Sequence, residues 1–263
     1  MKIAIIGVGN LGNAIAKGIV NNKVKYQSLY LTKRKIEELS NWNNTPKVDI
    51  TDSNIEAVKK AEIIILAVQP KQLNTVLNEI KSYLNPKTHT IVSVITGRKI
   101  VEIEKVIGND IAIIRSMPNT AIAVSESMTC ICANKKGQLK LNEVTSIFNV
   151  LGKTLFIEEK LMQSATVICA SGIAFWMRLI RATAQGAVQL GFDAKEAQEL
   201  SMQTCLGAAS LLIQSKSHPE QEIDKVTTPS GCTITGLNEM EHQGLSSSLI
   251  QGLVASFEKI NQI

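Results

Sequence analysis

Gly7, Gly9 and Gly12 follow directly on a short apolar run, Ile3 to Ile6, and lead into a segment carrying Ile15 and Ile19 at helical spacing. Glycines so spaced suit a phosphate-bearing ligand. The first permits a tight turn, the second lets backbone approach a pyrophosphate, and the third lets a helix pack closely on a strand. The free amides that begin the next helix, around Asn10, Leu11 and Gly12, then favour the phosphates. A G-x-G-x-x-G run has this meaning between a strand and a helix, and that is its context here.

An acidic residue about 20 positions beyond such glycines bonds the ribose 2′-hydroxyl in NAD sites. That place reads Thr32-Lys33-Arg34-Lys35, a hydroxyl and cations without a carboxylate. Arginine can grip a 2′-phosphate with two parallel bonds and lysine adds point charge. NADP(H) is therefore the expected cofactor, with NAD(H) the alternative; the plainer reading is a solvated basic turn.

Other candidates for the cofactor are Asn54, the loop Ala67-Val68-Gln69-Pro70, and Met117, Pro118 and Asn119 within the run Ser116 to Thr120. Both loops follow strand-like runs on the side where open α/β sheets bind ligands. A further loop, Val226 to Thr235, precedes a helix. Its exposed amides around Ser230, Gly231, Cys232 and Thr233 would make an anion cup, to which Thr233 adds a hydroxyl; a simple helix cap is the plainer alternative. No metal site is expected, since Cys130 and Cys132 have no histidine or second cysteine pair nearby. His89, His218 and His242 stand alone, and His218 before Pro219 suits a helix start.

These residues need a scaffold. Apolar runs alternate with helical patterns: SLYLT, Ile36 to Trp42, KVDIT, Ile55 to Lys60, EIIILAV, Leu73 to Leu84, HTIVSVI, Ile100 to Ile107 and IAIIRSM. Such a βαβ series predicts a parallel sheet covered on both faces. MTCICA, a helix around Leu141 to Leu151 and TLFIEE would close it. From about Leu161 the pattern turns helical, and Ile168, Gly172, Phe175, Leu179, Ala182, Gly186 and Leu190 trace one face of a long helix from Gln163 to Leu190. Gly191 would cap it, Asp193 with Glu196 would start a helix running to about Gln214, Ser217 with Glu220 another, and the last helices would reach Ile263. The expected fold class is α/β: a Rossmann dinucleotide-binding domain at residues 1–160, then an all-helical domain at 161–263 whose small residues imply a close-packed partner, with a second subunit one source of it.

The chain has 263 residues, 44% hydrophobic against 19% charged, as a globular protein does. No stretch approaches the roughly 20 apolar residues of a membrane span, and the N-terminus lacks a signal-peptide pattern. Five cysteines, an odd number without a disulfide spacing, fit a reducing compartment, so a cytoplasmic protein is expected. A net charge of +5 with 4% aromatic residues argues against nucleic acid and suits a small anionic ligand.

With IAIIGVGNLGNAI, LAVQP, RSMPNTAIAV, VTTPSGCTITGL and GLSSSLIQGLVASFEK in view, the chain resembles the pyrroline-5-carboxylate reductases over nearly its whole length. The threonine-rich loop is the specific part; the opening glycines are shared with many dehydrogenases. The resemblance implies NAD(P)H-dependent reduction of 1-pyrroline-5-carboxylate to L-proline, the last step of proline synthesis. It also implies a helical dimerisation domain and, for Thr233, a catalytic role steadying the ring nitrogen. It leaves open whether dimers assemble into larger rings. The chain departs from the family at Ala170 to Phe175, where G-S-G-P-A-Y is usual, and at Ser230, Cys232 and Gln69. Two rivals share the scaffold. A β-hydroxyacid dehydrogenase needs a lysine and an asparagine four residues apart, which Gln163 to Leu190 lacks; a non-catalytic NADP-binding regulatory protein would bind cofactor without turnover.

Overall fold

The computed structural model describes residues 1–21 and 24–262; Ile263, the end of the last expected helix, lies outside the described residues. The chain divides into two compact units, Met1–Ser171 with Phe257–Ile263, and Gly172–Ser256.

The first unit contains β1 (Lys2–Ile6), α1 (Asn10–Asn21), β2 (Ser28–Thr32), β3 (Val48–Thr51), α2 (Asn54–Lys60), β4 (Ile63–Leu66), α3 (Leu73–Ile80) and β5 (Thr90–Ser93). It continues through α4 (Ile100–Ile107), β6 (Ala112–Met117), β7 (Ser127–Ala133), α5 (Lys135–Gln138), α6 (Leu141–Asn149), β8 (Gly152–Phe156) and α7 (Met162–Ala165). Among the described residues the sheet runs β3-β2-β1-β4-β5-β6-β7-β8. The strands β1 to β6 are mutually parallel, β7 is antiparallel to β6, and β8 is parallel to β7.

Alternating side chains of β1 feed opposite layers. Ile3 and Ile5 join Ile15 and Ile19 of α1 and Phe148 of α6. Ala4 and Ile6 join Val58 of α2, Leu77 of α3 and Ile103 of α4. Both faces are thus covered, which explains why the central strands are almost wholly apolar. The strand order reverses between β1 and β4, and at such a switch point the two following loops part to leave a crevice.

Three details differ from the pattern read in the sequence. The segment Ile36–Trp42 is a 3₁₀ helix, because Ile36, Leu39 and Trp42 recur every third residue and the last two are buried. The long helix expected from Gln163 is interrupted by a π-helical stretch, Thr166–Ser171, whose Cys169 carbonyl accepts from Asn119 Nδ2 at 3.0 Å. The units part after Ser171 rather than after residue 160, since Met162 and Ala165 pack in the same layer as α3 and α4.

The second unit holds α8 (Gly172–Gln189), α9 (Ala194–Ser215), α10 (Pro219–Val226), α11 (Cys232–His242) and the greater part of α12 (Leu245–Ile260). Gly191 has φ +110°, and Asp193 Oδ1 accepts from the amides of Lys195 and Glu196 at 2.8 and 2.9 Å, so this turn is as the sequence predicts. The cap of α10 is His218 rather than Ser217, with Gln221 Oε1 accepting from the His218 amide. The most buried residues of the packed pair α8 and α9 are small: Ala184, Ala197 and Ser201. Ile168, Ala182 and Leu190 of the predicted stripe are instead exposed, while Gly172 is buried and Phe175, Leu179 and Gly186 are half-buried. The helical run Glu159–Gln189 is also long and apolar enough to cross a membrane by length and composition, contrary to the sequence reading. Helical continuity across three short segments creates that length, and Met162, Ala165 and Val167 within it are buried in the protein.

Candidate active site

The turn after β1 opens the crevice. Gly7 has φ +92°, and a Cβ there would stand 2.5 Å from Val68 Cγ1 and 3.0 Å from the Ala67 backbone, so glycine is required twice over. The amides of Gly7 and Val8 both donate to Thr32 O, fastening this turn to the end of β2. A Cβ on Gly12 would come 2.5 Å from Gly7 O, which is the close helix-to-strand packing expected of the third glycine. At Gly9 a Cβ would meet nothing within 4 Å. The first helical bond of α1 runs from the Asn13 amide to Gly9 O, which leaves the amides of Asn10, Leu11 and Gly12 outside the ladder. Open space beside a glycine and unbonded amides at the positive end of a helix fit a pyrophosphate.

A cleft of about 640 Å³ extends from this turn, lined on the β1 and β2 side by Gly7, Gly9, Thr32, Lys33 and Arg34. Asn54, Ala67, Val68 and Gln69 line the other side. The structure therefore gathers into one cavity residues as far apart in sequence as Gly7, Asn54 and Gln69. Thr32 Oγ1 donates to Asn54 Oδ1 at 2.7 Å, and Asn54 Nδ2 donates to Glu79 Oε2 at 3.0 Å. This relay fixes which way the Asn54 amide faces. Lys33 Nζ lies 2.6 Å from Glu38 Oε2. The Lys33 ammonium beside it holds the Glu38 carboxyl below the usual carboxylate range.

Glu38 and Glu79 are the two acidic cleft residues that the sequence reading missed, and Gln72, Thr75 and Val76 line the cleft unpredicted as well. Glu79 is separated from Asn54 by β4, and Glu38 from Lys33 by a turn, so only the fold shows either pairing. The 3₁₀ helix brings Glu38 back to Lys33, anchored by buried Leu39 and by Trp42, whose Nε1 donates to Asn13 Oδ1 at 3.0 Å.

Several predicted cofactor residues lie outside this lining. Asn10 borders an adjoining hollow, and Leu11 packs against the apolar layer of α1. Pro70 opens the short 3₁₀ turn Pro70–Gln72, in which the Gln69 amide donates to Gln72 Oε1. Met117 is 3% exposed within the core, and Pro118 is buried. Asn119 Oδ1 accepts from the Ala121 amide at 2.9 Å while its Nδ2 holds Cys169 O, so much of its bonding capacity serves the fold. Ser116, before this loop, is 1% exposed with an Oγ that finds no hydrogen-bond partner among the described residues.

In the second unit, the substrate candidates stand at the start of α11. Gly231 is its N-cap, and a Cβ there would collide with Thr228. The Thr235 amide makes the first helical bond, to Gly231 O at 3.3 Å, leaving the amides of Cys232, Thr233 and Ile234 outside the ladder. Ser230 has φ +59°, the left-handed region that favours glycine. The Thr233 hydroxyl has no hydrogen bond to the chain among the described residues. This is an N-terminus able to take a carboxylate. The lone histidines do other work: buried His89 accepts at Nδ1 from the Asn85 amide, and His218 accepts from the Glu220 amide.

Residues 159–263 match the family model described as pyrroline-5-carboxylate reductase dimerisation, and residues 2–97 match that of the coenzyme F420-dependent NADP oxidoreductases. Over 275 residues the chain is 43% identical to pyrroline-5-carboxylate reductase 2 of Dictyostelium discoideum, covering 98% of this chain and 91% of that one. The chain belongs to the pyrroline-5-carboxylate reductase family. Pyrroline-5-carboxylate reductase 1 of the same organism is likewise 43% identical over 98% of this chain, which spans about half (49%) of that relative's length. The crystal structure of Plasmodium falciparum pyrroline carboxylate reductase with NADP bound has a TM-score of 0.88 at 28% identity, covering 100% of this chain and 97% of that one. Family membership makes the chain an oxidoreductase by kinship, and the reading as a hydroxyacid dehydrogenase falls away. Ser230, one of the departures from the family pattern, is the residue with the left-handed backbone just described.

Proposed function

We propose that this chain reduces 1-pyrroline-5-carboxylate to L-proline with NADPH, accepting NADH as the alternative, as the last step of proline biosynthesis. The observation that carries the reading is the 43% identity to a named reductase across 98% of the chain, joined to an open glycine turn at the β1/β4 crevice.

The chain's own residues divide the work by chemistry. Gly7, Gly9 and Gly12 shape the turn, and the amides of Asn10, Leu11 and Gly12 receive the pyrophosphate. Lys33 and Arg34 take the 2′-phosphate, with Thr32 and Asn54 positioned for the ribose. Residues 67–70 and Met117 to Asn119 bound the nicotinamide end through backbone groups. When bound, the cofactor supplies hydride to the C=N carbon. The amides of Ser230 to Thr233 hold the substrate carboxylate, and the Thr233 hydroxyl steadies the ring nitrogen as it becomes an amine. A protonated cyclic imine is already electrophilic, so orientation rather than strong acid catalysis supplies most of the acceleration.

Steady-state kinetics of Thr233→Ala tests this assignment. Loss of one positioning bond should lower kcat/KM by about tenfold or more, with the circular dichroism unchanged. Unaltered kcat and KM would remove Thr233 from the mechanism.

The apolar side chains exposed on the second unit, among them Trp176 at 58%, support a homodimer as the working form. Cytoplasmic residence is supported by the cysteines, all free among the described residues, as a reducing compartment keeps them.

A further inference from the structure

The end of β2 carries no acid, but the fold delivers one from elsewhere. Glu38 reaches Lys33 at 2.6 Å, and both line the cleft. They also border a second hollow of about 620 Å³ on the side of α1, so the ion pair stands in the wall between two cavities. Its position is not that of a loose surface side chain. Buried Leu39 and Trp42 anchor the 3₁₀ helix, and Trp42 is bonded to Asn13 of α1. Glu38 itself is half exposed and can reach a ligand in the cleft.

A ribose 2′-hydroxyl can donate to a carboxylate. A 2′-phosphate, largely dianionic near neutral pH, cannot; it is repelled by Glu38 and must draw Lys33 away from it. Arg34 and Lys35 also line the cleft, so a phosphate keeps two cations whichever partner Lys33 chooses. Glu79 is a second carboxylate there, but its Oε2 is engaged by Asn54. We propose that Glu38 is a specificity-determining residue: it accepts from the 2′-hydroxyl of the unphosphorylated cofactor and competes with the 2′-phosphate for Lys33. The inference rests on the reading of this cleft as the dinucleotide site.

Calorimetric titration of the full chain with adenosine 2′,5′-bisphosphate and with 5′-AMP tests it, comparing wild type, Glu38→Gln and Glu79→Gln. Glu38→Gln should shift the ratio of the two Kd values toward the bisphosphate by about three- to tenfold, the scale of one released, solvent-exposed ion pair plus relieved repulsion. The NADPH/NADH ratio of kcat/KM should move the same way. Glu79→Gln removes equal charge from the cleft and should shift the ratio less. An unchanged ratio in Glu38→Gln, or an equal shift in both variants, overturns the proposal while leaving the cleft reading intact. Wild-type protein that binds neither nucleotide overturns both.

Discussion

Ser230 shows how much a single backbone angle can explain. At φ +59° an L-residue is strained by roughly 1–2 kcal/mol, and glycine at that position loses part of the gain to its freer unfolded state. Ser230→Gly should therefore stabilise the protein by about 0.5–1 kcal/mol, read as a rise in melting temperature of about 2 °C. A fall would mean that the serine side chain holds the loop in a way the structure does not show. The glycines of the nucleotide turn were legible because each has a steric duty that spacing alone reveals. Glu38 was not, because its partner lies five positions away across a turn whose 3₁₀ character depends on burial of Leu39 and Trp42. Asn119 likewise could be singled out by its place after a strand, but its bonds to Ala121 and Cys169 are tertiary facts.

Elements are held in place by a few buried polar contacts. Arg115 of β6 is 3% exposed, and its Nη1 donates at 2.8 Å to Glu159 Oε1, which also accepts from the Ile100 amide at the start of α4. One carboxylate thus ties strand, helix and the approach to α7 together. Arg115→Met should cost about 3 kcal/mol, at the low end for a buried pair because Glu159 is a third exposed. Combining it with Glu159→Gln, which keeps an acceptor for Ile100, should recover part of that loss in urea unfolding; a strictly additive double variant would show that the pair is not coupled. His89, at the entrance to β5, has its pKa lowered from 6.5 by burial. The unfolded chain then binds a proton below pH 6.5 that the folded chain refuses, so stability rises with pH in that range. The contribution is complete above 6.5 and is lost as the pH falls from there through the depressed folded value. Replacing His89 by Gln should flatten the pH dependence of unfolding between about pH 5 and 7; an unchanged slope would assign it to other groups.

For the whole molecule, the second unit leaves Trp176, Leu206 and Ile213 each more than half exposed on α8 and α9. Apolar surface of this kind is expected to be covered by another copy of the chain. Sedimentation at micromolar concentration should report a dimer or a multiple of it, and Leu206→Glu with Ile213→Glu should dissociate it. A wild-type monomer under those conditions would leave the exposed faces without an explanation. By itself the amino-acid order determined the alternation of strand and helix, the nucleotide turn and the helical second half, because periodicity and glycine sterics are local and survive without a partner. It could not decide the 3₁₀ and π segments, the parting of the units after Ser171, or the carboxylates that meet Lys33 and Asn54. Those depend on which side chains compete for the same buried volume and the same hydrogen bonds, and that competition exists only once residues distant in the chain have been packed together.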